Sequence, residues 1–501
     1  MNQDADSYFA EHQESGDLGR RALRGGIVSV AMQYGNGALQ ILAAIVLARL
    51  LTPADFGLVA IITVLTSFAP LLIDFGLGDA TTQRRKITPG QISSLFWLSV
   101  GLGSAVAISV AACSPLIARL YHEPQLQPIA LYSSITFVLW GASNQHLALL
   151  RRRMQFGRIA KIQLLGTLLG ICVAIVLALW GYGYWALVAR PIANALCVVV
   201  GAWLGCRWRP GPPTLDAEVK SMVRFGMHVV GFSVTYTVAK AVDRIALGLF
   251  YRPEQVGYYQ NAITLYDNSI FQVFAQIHNV GSAALSKLQS NLDALRQKYE
   301  QALAAMAFFV MPAAAVLSVT GEDITVVLLG EKWRAAGLLL RVIALRGIFQ
   351  VVEMSQGWLH LSIGRADRWR NWGVISLVVQ TAAVLAGLPF GAMGVAVASV
   401  AASVLIALPS VDYAGRPIGV GSALVLRAAG PQLIGAISTA AAGTWLQMAL
   451  LAHCPGIVRA VISAISCALI YLIIVVGVFR RTEPIRVARS LVHERMQRRR
   501  S

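Results

Sequence analysis

The chain has 501 residues, 56% hydrophobic and only 13% charged, with a mean hydropathy of +0.62. That composition excludes a soluble globular protein and describes an integral membrane protein. A formal net charge of +18 raises nucleic-acid binding as an option, but the basic residues recur at every second loop instead of forming one patch. Their distribution is a topological signature with anionic membrane lipids as counter-charge, and no nucleic-acid partner is expected.

The start, MNQDADSYFAEHQESGDLG, is polar and acidic, which predicts a short disordered cytoplasmic tail over 1–19 and no cleavable signal peptide. Apolar windows long enough to cross hydrocarbon as helices follow at 26–48, 56–78, 92–118, 126–149, 159–180, 184–206, 222–250, 257–284, 302–320, 335–361, 370–388, 391–411, 421–447 and 456–479. These make about fourteen spans of an all-α polytopic membrane protein, and nothing alternates as barrel strands would. About 31 of the 42 Lys and Arg lie on one side and about six on the other, so both termini are expected in the cytoplasm. The six cysteines form no CxxC pair and the eight histidines show no ligand spacing, so neither disulfides nor a metal site is expected.

The chain contains a faint copy of itself. RLLTPADFGLV at 49–59 ends the first span and opens the second, and LFYRPEQVGYY at 249–259 does the same for the seventh and eighth. Pro53 aligns with Pro253 and Gly57 with Gly257. This predicts two six-helix halves, 20–206 and 221–412, joined by a cytoplasmic linker at 207–220, then an extra helix pair at 413–479 and a basic cytoplasmic tail at 480–501. Repeats of one orientation enclose a central pathway between the halves.

Polar residues inside the spans point to that pathway. Lys240, Asp243 and Arg244 share one helix face at i, i+3 and i+4, with Lys240 roughly 15 Å from the outer end of its span. Arg346 is about 16 Å deep, and Gln350, Glu353 and His360 follow it at helical spacing. The eighth span offers Asn261, Asn268, Gln272 and Asn279, with Asp267 alongside, and the first offers Gln33, Asn36 and Gln40. A charge at mid-bilayer costs at least about 2.5–3.5 kcal/mol on insertion scales, so such residues mark a functional site by default. The structural alternative pairs Lys240 with Asp243 and lets Arg244 snorkel outward; for the amides it is interhelical hydrogen bonding worth about 0.6 kcal/mol each. Arg190, beside Pro191, reads as a snorkelling structural residue. Asp74 and Asp79, near Arg84 and Arg85, read as a gate or interface pair, and GTLLG at 166–170 reads as a close-packing face.

Enzymatic chemistry is missing. There is no GxxxxGK[ST] phosphate loop, and GLGSAV at Gly101 lies inside a span. No extramembrane region exceeds about twenty residues, too few for a catalytic domain. Transport without a cofactor is the expectation.

LARLLTPADFGLVA (47–60), DFGLGDA (74–80), GYGYWALVA (181–189), AVDRIALGLFYRPEQVGYYQ (241–260), ALSKLQSNLDALRQKYEQAL (284–303) and LLGEKWRAAGLLLRVIALRG (328–347) together resemble the polysaccharide transporter family of Wzx-type flippases. That family belongs to the multidrug, oligosaccharidyl-lipid and polysaccharide exporter superfamily, and the likeness is greatest to its colanic-acid or exopolysaccharide branch. The resemblance implies two six-helix bundles in a V shape plus a C-terminal helix pair, moving by alternating access in the bacterial inner membrane. It implies a polyprenyl-pyrophosphate-linked oligosaccharide repeat unit as substrate, flipped to the periplasmic leaflet for exopolysaccharide or lipopolysaccharide biosynthesis, with an ion gradient as drive. A polysaccharide polymerase and a chain-length regulator are the implied partners. The family's DR pair falls on Asp243 and Arg244; Arg190 departs from the usual amide and takes no family role.

The residues supply a physical reason for the same mechanism. Lys240, Arg244 and Arg346 replace the water that a pyrophosphate gives up in a low-dielectric slab. The amides Gln33, Asn36, Gln40, Asn261, Asn268, Gln272 and Gln350 suit sugar hydroxyls, and Asp243, Asp267 and Glu353 are candidates for ion coupling. Two rivals stand beside this reading: a multidrug or cation antiporter of the same superfamily, and a non-transporting scaffold of a polysaccharide synthase complex.

Overall fold

The computed structural model describes residues 18–74, 77–83, 87–206, 208–213, 241–272 and 291–480, together with 274, 277, 278, 281, 285 and 288. All regular structure among them is helical, and nine helical segments among them are long and apolar enough to cross a membrane. The chain is an all-α polytopic membrane protein. It divides into two compact units, Met1–Gly257 and Tyr258–Ser501. Lys240, Asn279, Arg84, Arg85, most of the 207–220 linker and the tail beyond 480 lie outside the described residues.

The first unit contains α1 (Leu18–Leu50), α2 (Pro53–Leu65), α3 (Ala69–Asp74), α4 (Leu77–Gln83), α5 (Pro89–Leu120), α6 (Leu126–Ser133), α7 (Ile135–Arg152), α8 (Phe156–Leu179), α9 (Trp185–Cys206) and α10 (Val242–Phe250). Thr-Pro pairs set two of the starts. Thr52 and Asp55 form a reciprocal capping box around Pro53, with Thr52 N–H donating to Asp55 Oδ2 at 2.9 Å. Thr88, Pro89 and Gln91 repeat the device on α5. A capping box satisfies two backbone donors that a helix start leaves open, and proline at the first position has no donor to lose.

The span predicted over 56–78 corresponds to Pro53–Asp74, one segment long and apolar enough to cross a membrane, whose α-helix is interrupted after Leu65. There the Thr66 hydroxyl donates to the Ile62 carbonyl at 2.7 Å and Ser67 to that of Val64 at 2.8 Å, a local competition that bends or ends helices. In lipid, helices gain little from burying apolar faces against each other, so close backbone approach at small residues matters more. A Cβ on Gly103 would lie 2.5 Å from the Phe137 carbonyl oxygen, and one on Gly141 equally near that of Ser99, locking α5 to α7. Gly166 and Gly170 do the same for α8 against Asn194 and the Arg190 carbonyl of α9. The close-packing reading of GTLLG therefore holds.

Part of the linker is anchored. Trp208 is buried against Phe96 and His146, Gly211 N–H donates to Ser93 Oγ at 3.0 Å, and Trp97 Nε1 donates to the Gly211 carbonyl at 2.9 Å.

A further helix, α11 (Pro253–Tyr266), leads from the first unit into the second, which continues with a π-helical turn at Asp267–Phe271. Then come α12 (Leu292–Leu329), α13 (Arg334–Ser362), α14 (Ala366–Gly387), α15 (Gly391–Gly415), α16 (Ser422–Ala449) and α17 (Gly456–Leu472). Helix α12 is central and packs against α13, α16 and α17, while α15 packs against both α13 and α14.

The span expected at 302–320 is a helix of 38 residues. Its start is set by Asn291, whose side chain accepts the Ala294 N–H at 3.0 Å. It runs nine residues past Thr320 because its acidic pair is neutralised. Glu322 pairs with Arg334 at 2.6 Å and with Arg341 at 3.5 Å. Asp323, only 4% exposed, receives both Arg459 of α17 and, at 3.2 Å, Gln447 of α16. A buried carboxylate is tolerated in a helix only when charge and hydrogen bonds compensate it.

Candidate functional site

Arg346 is the thirteenth of the 29 residues of α13, about 18 Å from that helix's start at 1.5 Å per residue. Its side chain is half-buried on a face that continues with Gln350 and Glu353. Residues spaced by three to four share a helix face. The facing helix α11 contributes Tyr266, whose hydroxyl donates to Gln350 Oε1 at 2.5 Å. The Arg346 guanidinium acts electrostatically on both Tyr266 and Glu353. Glu353 Oε1 lies 3.5 Å from Gln380 Nε2 of α14. The approach is close because of Gly347, where a Cβ would lie 3.2 Å from the Tyr266 hydroxyl. One cation, one carboxylate, two amides and a phenol thus surround one half-buried place within the second unit.

Asn261 is buried, Asn268 half-buried, and Asp267 and Gln272 are exposed. The stripe expected from their spacing is interrupted by the π-helical turn at Asp267–Phe271. A π turn takes in one more residue than an α turn, which rotates everything after it by roughly one residue's angle. Tyr266, immediately before that turn, has no role in the sequence reading. A lone tyrosine between Leu265 and Asp267 carries little signal until its partner is known.

In the first unit, Arg244 and Asp243 are largely buried, with 3.4 Å between Arg244 Nε and Asp243 Oδ1. Asp243 also accepts the Arg244 backbone N–H at 2.8 Å. The adjacent pair is therefore an ion pair at the start of α10, where a carboxylate also complements the helix dipole. Lys240 lies outside the described residues. On α1, Asn36 is half-buried while Gln33 and Gln40 are exposed. Arg190 is half-buried on α9 and serves the α8 contact through its carbonyl. Asp74 accepts from Asn144 Nδ2 at 3.0 Å and from Gly78 N–H at 3.3 Å.

Arg244 and Arg346 belong to different units, and each is positioned by its own. The geometry within each provides a guanidinium beside a carboxylate, partly sheltered from solvent and flanked by hydrogen-bonding groups. Such an arrangement suits an anionic or hydroxyl-rich ligand, since guanidinium forks match phosphate oxygens.

A family model described as "Polysaccharide biosynthesis protein" matches residues 46–338. Among curated proteins, the lipopolysaccharide biosynthesis protein WzxC of Escherichia coli (strain K12) is 26% identical over 371 residues, covering 74% of this chain and 75% of its own. The succinoglycan biosynthesis transport protein ExoT of Rhizobium meliloti (strain 1021) is 24% identical over 369 residues, covering 72% and 73%. Among solved structures, the lipid II flippase MurJ in an inward closed conformation superposes with a TM-score of 0.68 at 13% identity, over 91% of this chain and 99% of that one. An inward-facing multidrug resistance MATE family transporter of the MOP superfamily gives 0.57 at 16% identity, over 79% and 98%. At these identities the two structures speak to the fold alone.

Proposed function

The chain belongs to the polysaccharide biosynthesis protein family, and from that premise we propose that it is a flippase for a polyprenyl-pyrophosphate-linked oligosaccharide repeat unit, working by alternating access. The observation that carries this reading is Arg346. A half-buried arginine in the middle of a membrane-length helix, with Gln350, Tyr266 and Glu353 around it, marks a functional site by default. A diphosphate crossing the membrane must exchange its water for fixed cations, and Arg346, Arg244 and Lys240 are the residues assigned that task. The amides Gln33, Asn36, Gln40, Asn261, Asn268, Gln272 and Gln350 would meet sugar hydroxyls. The polyprenyl tail remains in lipid.

The names of the relatives support the substrate class. WzxC is named for lipopolysaccharide biosynthesis and ExoT for succinoglycan biosynthesis transport. The direction is from the cytoplasmic to the periplasmic leaflet of the inner membrane, driven by an ion gradient with Asp243, Asp267 or Glu353 as carrier. Both termini then face the cytoplasm, and polymerase and chain-length regulator act on the product.

Deleting the gene tests the reading. The surface polysaccharide should disappear while the lipid-linked repeat unit accumulates on the cytoplasmic leaflet, and the wild-type gene should reverse both. Loss of polysaccharide without accumulation of a lipid-linked intermediate would remove the proposal.

A further inference from the structure

The second unit holds a line of buried polar groups that leads away from the site just described. On α13, Glu353 Oε2, Gln356 Oε1 and both ring nitrogens of His360 have no hydrogen-bond partner among the described residues. The same is true of Trp372 Nε1 and Ser376 Oγ on α14. His360 is 1% exposed and Gln356 8%. Glu353, Gln356 and His360 recur at i, i+3 and i+7 and share one face of α13; Trp372, Ser376 and Gln380 recur every fourth residue on α14. These stripes meet at both ends. Gln380 Nε2 lies 3.5 Å from Glu353 Oε1, and the rings of His360 and Trp372 both flank Tyr413 of α15, with centroids 6.1 and 5.3 Å away.

Polar groups in a membrane interior are costly unless water or another polar group meets them, and an apolar residue would be cheaper at each of these positions. Buried polar groups without protein partners are satisfied by bridging water, and a chain of such groups conducts protons. We propose that the α13–α14 seam is a proton path joining the Arg365–Arg368 end of these helices to the carboxyl of Glu353. In one transfer, a proton from bulk water binds one ring nitrogen of His360 and another leaves the second nitrogen. It then passes along water held by Gln356 and Ser376 to Glu353 Oε2. The carboxylate becomes a neutral acid; no other bond changes.

The groups around the path define its electrostatics. Glu353 is acted on by Arg346 of its own helix and faces Gln380 of α14, while Tyr266 of α11 stands beside the same arginine with Asp267 next to it. His360 faces Arg368 and Asp367 of α14 and Tyr413 of α15. From the remaining neighbours, Tyr299 of α12 is bound to Ser355 at 2.8 Å and His278 stacks on Trp358. One consequence rests on the reading of Arg346 given above: the Glu353 carboxylate and a diphosphate compete for its guanidinium, so protonating Glu353 frees Arg346 for substrate. The path itself does not depend on that reading.

The test uses the purified full chain in phosphatidylcholine nanodiscs. Infrared difference spectra between alkaline and acidic pH should contain a protonated-carboxyl band that Glu353→Gln removes and Glu331→Gln, at an exposed position outside the seam, leaves in place. After a pH jump, the rise of that band should slow by about a hundredfold or more in His360→Leu, the range lost with a proton-transferring group. His360→Gln, which keeps a polar side chain in the seam, is the second variant should the leucine fail to fold, and it should slow the rise as well. A band indifferent to Glu353→Gln, or a rise unaltered in the folded His360 variants, overturns the proposal. Adding farnesyl diphosphate as a probe separates the two readings. Binding with proton uptake that Glu353→Gln abolishes supports the competition; binding without proton uptake overturns it. Absence of probe binding removes the Arg346 reading and leaves the path to be decided by the spectra.

Discussion

Gly57 of α2 and Pro253 of α11 are in direct backbone contact: a Cβ on Gly57 would overlap the Pro253 carbonyl. The relation is reciprocal, since a Cβ on Gly257 would overlap the carbonyl of Pro53. The two copies of the Pro-x-x-x-Gly repeat thus cross each other within the first unit, each glycine seated on the other's proline. No side chain larger than hydrogen fits without moving backbone.

That crossing gives the first prediction. Gly57→Val forces α2 and α11 apart at a point with no flexible neighbour to yield, and overpacking of this kind costs about 1–3 kcal/mol or more. Thermal unfolding of the purified protein should fall below wild type, and Gly257→Val should act in the same direction. Gly101→Val, where a Cβ meets nothing nearby, should leave stability close to unchanged.

The Asp323–Arg459 pair fastens the final helix pair to α12. Breaking a buried pair by deleting one partner leaves an uncompensated charge, so Arg459→Ala should destabilise by about 3–5 kcal/mol, whereas Asp323→Leu with Arg459→Leu should cost clearly less. A double-mutant cycle on unfolding in detergent reads this directly. Equal losses in the single and double variants would mean that the pair contributes packing only.

Thr52 starts α2 through its capping box with Asp55. Thr52→Ala should cost about 1 kcal/mol, and Thr52→Ser should retain most of it. Comparing midpoints of thermal unfolding for the two variants checks the ranking.

Much of this architecture is legible in the residues. The expected spans at 92–118 and 335–361 lie within observed helices at Pro89–Leu120 and Arg334–Ser362, and that at 159–180 overruns the helix Phe156–Leu179 by one residue, because length and apolarity alone set membrane helices. The Pro and Gly of the repeat were visible as a sequence match, but their mutual seating was not, since spacing carries no information on which backbones touch. The extension of α12 to Leu329 was hidden for a related reason. Glu322 and Asp323 read as the end of a span until their partners Arg334, Arg341, Arg459 and Gln447 are brought together by distant segments. At the candidate site, Arg346, Gln350 and Glu353 could be found by helical spacing. Tyr266 and Gln380 could not, because they reach that face from other helices, and the π turn after Tyr266 breaks the periodicity on which the amide stripe was built.

Arg346 carries the account, and its side chain gives the sharpest test. Arg346→Ala removes the charge, while Arg346→Lys keeps it without the planar fork. The measurement is the rate at which a fluorescent polyprenyl diphosphate crosses the bilayer of proteoliposomes containing wild-type or variant protein. The account predicts a loss of about a hundredfold or more for Arg346→Ala, as for removing a buried charged hydrogen-bonding partner, and partial retention for Arg346→Lys. Crossing at the wild-type rate by folded Arg346→Ala would contradict the claim that this cation holds the diphosphate.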